Sequence, residues 1–303
     1  MSRRDIIVVG ASAGGVEALK LVVAGLPADL PASVLVVLHI GNGINGQSFL
    51  PDILTRAGPL PAVRPTDGER LRLGTIYVAP PDYHLLVAPG HVHLSHGPKE
   101  NRTRPAINPL FRSAAAAYGE RVTGVILTGA LDDGVAGLAE IKRQGGIAVA
   151  EDPATALFPS MPYQATLKVD VDFVVPLPQV PEVVSTLAIT ERGSKKSEEP
   201  MERIPSHLTC PECRGPLSRE RQGKILEYRC RVGHVFSPLA MAEEHRDTVE
   251  RSLWMSVLAL EEAAEIAEAL ASELGPDALE EARAKRKQSA DLKAMLNSSS
   301  RER

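Results

Sequence analysis

Ile6, Ile7, Val8 and Val9 form a β-branched run that stops at a small-residue turn, Gly10 to Gly15. Val16, Leu19, Val22 and Val23 then follow at helical spacing. An unbroken aliphatic run of this length, closed by a glycine turn, reads as a strand buried on both faces. With the turn and helix it makes the first part of a βαβ unit. The theme recurs at 34-VLVVLH-39, 75-TIYVA-79, 122-VTGVILTG-129, 147-IAVAE-151 and 173-FVVPL-177, with helical patterns near 108–118 and 134–144. Aliphatic strands alternating with helices predict an α/β fold: a doubly wound, mostly parallel sheet covered on both faces. That domain is expected over residues 1–190. Aromatics make up only 4% of the chain against 44% hydrophobic residues in all, so its core must be aliphatic. The segment 74-GTIYVAPPDYHLLVAPGHVHLSH-96 instead alternates with period two between Pro/Gly turns, and reads as hairpin strands inserted in that sheet.

The composition changes after residue 190. Residues 191–207 are charged, contain Pro, Ser and Gly, and lack apolar periodicity, which predicts a linker. Residues 208–238 hold the three cysteines of the chain, as 210-CPEC-213 and 230-CRVGH-234. Thiolates and an imidazole at these spacings predict a zinc-ribbon-like module with Cys210, Cys213, Cys230 and His234 as ligands to a structural zinc. His207 is a competing ligand. Residues 239–303 are rich in Ala, Glu and Leu. They predict a helical hairpin tail with Leu253, Val257, Leu260 and Ala264 on one face, Trp254 as its only tryptophan, a break at Gly275-Pro276-Asp277 and a frayed end.

The bulk properties exclude several classes. Three cysteines do not make a disulfide framework. No apolar run approaches the ~20 residues of a membrane span, and the Asp5-interrupted start does not make a signal peptide. A cytoplasmic protein is expected. The net charge of -4 gives no overall nucleic-acid footprint, although Arg214, Arg219, Arg221, Arg229 and Arg231 cluster in the cysteine module.

The first turn has two chemical readings. A dinucleotide site needs G-x-G-x-x-G, with an acid after the second strand. Here Ser12 stands where the middle glycine belongs, and the second strand ends in His39. Gly10-x-Ser12-x-Gly14 matches instead the G-x-S-x-G elbow that exposes a nucleophilic serine. The strand 124–129 runs into 130-ALDDG-134, so Asp132 and Asp133 lie at another strand end. Ligands bind at the C-terminal ends of the strands in open parallel sheets. Ser, His and Asp therefore converge there as nucleophile, general base and orienting acid, an arrangement defined by geometry rather than chain order. The helix beginning near Ala13 offers N–H groups to an oxyanion. Either aspartate could serve, and one of them is also suited to capping a helix at Gly134. Ser12 itself could equally be an N-cap.

The stretches 9-VGASAGGVEAL-19, 37-VLH-39, 100-ENRTRPAINPLF-111, 124-GVILTGALDDGVAGL-138 and 158-FPSMPYQA-165 resemble the catalytic domain of the bacterial chemotaxis protein-glutamate methylesterases, the CheB family. The resemblance covers about residues 4–188. It implies hydrolysis of glutamate γ-methyl esters on chemoreceptor helices with release of methanol, no cofactor for catalysis, and in many members deamidation of receptor glutamines. It carries the catalytic set onto Ser12, His39 and Asp133, because the family's acid immediately precedes the glycine of an Asn-Asp-Gly motif. Asp132 then holds the asparagine position. Ala13 and Ala130 replace the family's usual Thr and Met. Both would retain an oxyanion role only through the backbone N–H. Arg102 and Arg104 lie in the segment beside the family's cleft and are expected to engage acidic groups around the methylated glutamate. Phe158 and Met161 either line the cleft or fill the core. The catalytic strand begins at Ile6, which leads to the expectation of a receiver-less form. Some such members carry a similar Cys₃His segment and helices at the C-terminus. The expected partners are methylated chemoreceptor cytoplasmic helices and a signalling partner of the C-terminal module. The competing function is a non-catalytic zinc-containing adaptor that binds a signalling partner or nucleic acid.

Overall fold

Strand β1 (Ile6–Ala11) is buried along its whole length and pairs on both edges with parallel neighbours, β2 (Ser33–Leu38) and β7 (Val122–Ile126). The structure is a computed structural model and describes residues 4–39, 48–190, 199–271, 275 and 277–299. Beyond β2 lie β4 (Ile76–Val78) and β3 (Ala62–Val63), and beyond β7 lie β8 (Ile147–Glu151) and β9 (Phe173–Val175). The order is β3-β4-β2-β1-β7-β8-β9, and every pairing is parallel. The chain winds outward from β1 in one direction and then from β7 in the other. The β1/β7 boundary is therefore the switch point at which such sheets open a crevice.

Alternation along each strand divides the core in two. Ile7, Val9, Val34, Val36, Val125 and Val149 face α1 (Gly15–Ala24), α2 (Leu50–Ala57) and α6 (Val180–Ile189). Ile6, Val8, Leu35, Val37, Val122 and Ile126 face α3 (Ile107–Tyr118), α4 (Val135–Arg143) and α5 (Ser160–Lys168). Both layers are almost wholly aliphatic, as the composition required.

The expected insertion at 74–96 resolves differently. Ile76–Val78 is a parallel strand of the main sheet. Only β5 (His84–Ala88) and β6 (His91–Ser95) form a hairpin, and it stands apart as a two-stranded sheet packed on the α3 layer. Leu85, Val87 and Val92 turn inward and His84 is buried as well, while His91 and His93 on the second strand lie nearer the surface. Period two thus identified the hairpin but not the sheet to which it belongs.

A four-stranded antiparallel sheet follows, from β10 (Glu202–Thr209), β11 (Pro216–Gln222), β12 (Ile225–Cys230) and β13 (Val235–Phe236). Its small core is Cys210, Leu217, Cys230, Phe236 and Met241. Strand β10 occupies part of the segment expected to be a linker. Nearly all of its residues are exposed, Ile204 and Leu208 included, and its pairing to β11 is interrupted beyond Pro205, so it has no clear apolar period. Residues 191–198 of that expected linker lie outside the described residues. The sheet and the parallel domain belong to one compact unit that extends to Met241.

The second unit begins at Ala242. It comprises most of α7 (Pro238–Ala269) and α8 (Asp277–Ser299). Val257 and Ala264 lie on the buried stripe expected, Ala282 joins the contact, and Arg286 makes a two-pronged pair with Glu268. Trp254 is largely exposed. Pro276 and the terminal residues expected to fray lie outside the described residues. Among the described residues, no helix is long and apolar enough to cross a membrane.

Candidate active site

Ser12, His39 and Asp133 follow three adjacent strands, β1, β2 and β7. The ladder continues one residue past the first two: the Ser12 N–H donates to Thr128 O at 3.0 Å, and the His39 N–H donates to Ala11 O at 3.1 Å. Ser12 does not cap α1. The N-cap is Gly14, at φ 74°, a left-handed turn that glycine adopts without a Cβ penalty. The serine is left free to face the crevice. Gly129 makes room for it: a Cβ there would lie 2.9 Å from the Ser12 Cβ and 2.7 Å from the Met161 Cε.

The three side chains are in line. His39 Nδ1 lies 3.1 Å from Ser12 Oγ, and Nε2 lies 2.7 Å from Asp133 Oδ2. A carboxylate only accepts, so Nε2 carries the proton and Nδ1 offers its lone pair to the serine hydroxyl. Asp133 is fully buried. Burial works against its ionisation, but His39, the Ile107 N–H at 2.6 Å and the Asn101 amide at 3.0 Å together hold its carboxyl below the usual range. The Asn108 N–H adds a longer contact of 3.4 Å. Ile107 and Asn108 open α3, so the carboxylate also sits on the positive end of a helix dipole. An aspartate does cap a helix here, but the helix is α3 and not the expected one at Gly134. The first turn of α4 is met instead by Asn108 Oδ1, which accepts the Gly137 N–H at 2.8 Å.

The two aspartates have separate partners. Asp132 is buried, accepts Lys168 Nζ at 2.9 Å and is hydrogen-bonded by the Ser237 hydroxyl. It does not touch His39. Among the described residues, no acceptor takes the N–H of Ala13, Gly14 or Ala130, so donors remain near the serine, as oxyanion stabilisation requires.

Arg102 and Arg104 part company. The Arg104 guanidinium chelates Asp82 Oδ1 through Nε and Nη2, at 2.9 and 2.7 Å, and gives Nη1 to the carbonyls of His96 and Gly97. With its donors committed to Asp82 and to the carbonyls that follow the hairpin, Arg104 pins the loop. Arg102 is half-buried between Asn101 and Thr103, at φ 70°. Met161 is fully buried and belongs to the core, whereas Phe158 is exposed.

Several supporting residues were not foreseen. Thr128 donates its hydroxyl to Ala13 O at 3.1 Å and takes the Phe158 N–H at 2.8 Å, which locks the elbow to the next loop. Its own N–H rests on the buried Glu151. Thr103 Oγ1 stands 3.4 Å from His39 Nε2. His84 ties both ends of the 98–106 segment: Nε2 meets Pro98 O at 2.9 Å, and the Ala106 N–H donates to Nδ1 at 3.2 Å. Burial pushes its imidazole pKa down, which keeps the ring neutral and able to do both. The sequence signal was present in 100-ENRTRPAINPLF-111, but hydrogen-bond roles inside a loop have no periodicity to reveal them.

The Cys₃His group also assembles. The ligand atoms of Cys210, Cys213, Cys230 and His234 lie within 4.8 Å of one another, and the cysteines are reduced. Cys213 and Cys230 sulfurs are 3.7 Å apart, and His234 Nδ1 lies 3.8 and 3.5 Å from the sulfurs of Cys210 and Cys230. Metal–ligand lengths of ~2.3 and ~2.0 Å give tetrahedral edges of roughly 3.5–3.8 Å. The group therefore fits zinc. His207 is not part of it.

Comparison with known proteins places this geometry. A family model described as CheB methylesterase matches residues 7–184. A relative in Leptospira interrogans is 38% identical over 180 residues, 59% of this chain and 92% of that protein. The Methanosarcina mazei protein named protein-glutamate methylesterase/protein-glutamine glutaminase 2 is 37% identical over 191 residues, 60% of this chain but 52% of that one, so the chain spans about half its length. The crystal structure of the Thermotoga maritima CheB methylesterase catalytic domain superposes with a TM-score of 0.58 at 33% identity, covering 62% of this chain and all of that one. The match takes in the parallel sheet and the three strand ends that carry Ser12, His39 and Asp133, and the chain belongs to the CheB methylesterase family.

Proposed function

We propose that the protein hydrolyses glutamate γ-methyl esters on chemoreceptor helices, with Ser12 as nucleophile, His39 as general base and Asp133 as the acid that orients it. The observation that carries the proposal is His39 bridging Ser12 Oγ and a buried, ionised Asp133 at 3.1 and 2.7 Å, in a chain of this family. Ser12 Oγ adds to the ester carbonyl as its proton passes to His39 Nδ1. The Ala13 and Ala130 N–H groups receive the oxyanion. Collapse breaks the carbon–methoxy bond, and His39 returns the proton to the leaving oxygen, giving methanol. Water then attacks the acyl-serine as His39 takes its proton, and His39 returns that proton to Ser12 Oγ as the carbon–Oγ bond breaks, which leaves a glutamate and the free serine. A glutamine side chain enters the same route with ammonia as the leaving group, which is the deamidase activity in the relatives' names. Leu157 and Phe158 flank the elbow at Gly14 and are exposed, an apolar rim suited to a receptor helix. Arg102 supplies a cation for acidic groups beside the methylated residue. The Cys₃His group holds a structural zinc through a full protein ligand set. Reduced cysteines and a receptor substrate on cytoplasmic helices fit a cytoplasmic enzyme, and the C-terminal helices are available to a signalling partner.

The test is methanol release from methyl-labelled chemoreceptor membranes by wild type and Ser12→Ala. Release that disappears in the variant supports the proposal. No release by either protein would favour the adaptor function instead.

A further inference from the structure

We propose that the zinc ribbon holds the catalytic acid in position, and that Asn101 is the positioning residue through which it does so. The proposal rests on the assignment of Asp133 as the acid of the catalytic set. Asn101 is buried, and every polar group of its side chain is engaged. Its amide nitrogen donates to Asp133 Oδ1 at 3.0 Å. Its amide oxygen accepts the Ser237 N–H at 2.7 Å. Its backbone N–H donates to Val235 O at 2.8 Å. Val235 belongs to β13, the last ribbon strand, and follows His234 directly. One residue is thus bonded on one side to the ribbon and on the other to the carboxylate that orients His39.

The left-handed conformation of Asn101, at φ 47°, is held between these bonds. Outside this environment the residue would relax toward a commoner conformation and take its amide away from Asp133. Ser237 reinforces the junction. Its hydroxyl donates to Asp132, next to the acid in sequence, and accepts the Ala240 N–H at the start of α7. A partly buried charge triad closes the far side: Arg112 of α3 reaches Glu100 of the preceding loop and Glu227 of ribbon strand β12, each at 2.7 Å. Burial works against the Arg112 charge, but the two carboxylates hold its pKa above the ordinary value. The loop that carries Asn101, the loop that carries Asp132 and the middle of α3 are therefore each bonded to the ribbon or to the residue that follows it. The module is part of the catalytic frame, and loosening β13 withdraws support from the acid without touching Ser12 or His39.

The test uses the full chain and three variants: Asn101→Ala, His234→Ala and the double variant. His234→Ala removes one of the four ligand groups and slackens the entry to β13. Hydrogen exchange followed by mass spectrometry is the first measurement because it does not depend on turnover. Faster exchange at 98–108 and 128–136 in His234→Ala, with 6–11 and 122–126 unchanged, is the expected result. Faster exchange confined to 202–236 overturns the proposal. The second measurement is methyl-ester hydrolysis. Loss of a residue that orients a catalytic group costs on the order of 10–100-fold. Each single variant is expected to lower kcat by about tenfold or more with KM nearly unchanged, and the double variant is expected to fall no further. Multiplicative losses in the double variant, or wild-type kcat in His234→Ala, would refute it. If His234→Ala unfolds as a whole, Phe236→Leu loosens the same strand with every ligand in place and is read by the same criteria. An inactive wild type would defeat the proposed reaction, and the exchange data would still decide the coupling.

Discussion

Replacing Asp133 by asparagine changes one oxygen into a donor at a site where every neighbour is a donor. Oδ2 faces His39 Nε2 and the Ile107 N–H, and Oδ1 faces the Asn101 amide and the Asn108 N–H. Neither orientation of the new amide avoids a conflict. With its nitrogen toward His39, the imidazole must move its proton to Nδ1, and the lone pair that served Ser12 is gone. The Ile107 N–H is also left unpaired. With its nitrogen toward Asn101, that amide must turn, and its NH₂ then faces the Ser237 N–H. Either way a buried bond to a charged group is lost, worth about 1.5–3 kcal/mol, and a buried donor is orphaned, worth about 1–3 kcal/mol. The summed cost is roughly 2.5–6 kcal/mol of stability. The wrong tautomer lowers kcat of a hydrolytic triad by about 10⁴-fold, or roughly 5.5 kcal/mol of transition-state stabilisation. Urea unfolding and methanol release from methylated receptor membranes measure the two effects. Asp133→Asn with kcat within tenfold of wild type would refute the orienting role, and an unchanged urea midpoint would refute the four-donor account.

Gly129→Ala is expected to force its Cβ against Ser12 and Met161. It should cost about 1–3 kcal/mol in a thermal melt, with loss of methanol release; wild-type behaviour in both would contradict the close approach. His84 is held neutral by burial, so the unfolded chain binds more protons and this group favours folding at higher pH. Its contribution is complete above the ordinary histidine value of ~6.5 and is lost as pH falls below it. The urea midpoint of wild type should therefore drop between about pH 7 and 5 more steeply than that of His84→Gln; parallel profiles would dismiss His84 as the cause. Arg104→Ala is expected to lower stability by about 1–3 kcal/mol through loss of the Asp82 chelate, whereas Arg102→Glu should act on KM for receptor membranes. The reverse pattern would exchange their assigned roles. Purified protein should contain zinc, and its removal by a chelator should expose 202–236 to protease first; a metal-free protein with an intact ribbon would rule the metal out.

The residues to which the chemistry is assigned were legible because each sits at a strand end, where an aliphatic run announces the strand and the first polar residue beyond it stands out. His39 followed from that rule, and Ser12 from the G-x-S-x-G turn beside it. The choice of Asp133 over Asp132 did not, since both satisfy it, and only the family motif separated them. In the folded chain the difference is one of partners: α3 and His39 for one, Lys168 and Ser237 for the other. The Cys₃His set was equally legible, because ligand spacing is local. Asn101, Thr128 and His84 were not, because their bonds span distances in the chain that no local pattern encodes. Strand β10 was hidden for a related reason: a strand exposed along nearly its whole length resembles an unstructured segment until its partner is known.

The three adjacent strand ends have a geometric consequence. Neighbouring strands stand about 4.8 Å apart, and Ser12 and His39 are each bonded through their backbone to the strand beside them. Their separation is therefore fixed by the pitch of the sheet and not by loop conformation. A side chain of ordinary length spans that pitch with one hydrogen bond, so the reactive dimensions are a property of the lattice on which the residues are mounted. The surrounding loops can be exchanged, lengthened or re-decorated for a new substrate while the gauge of the centre stays the same.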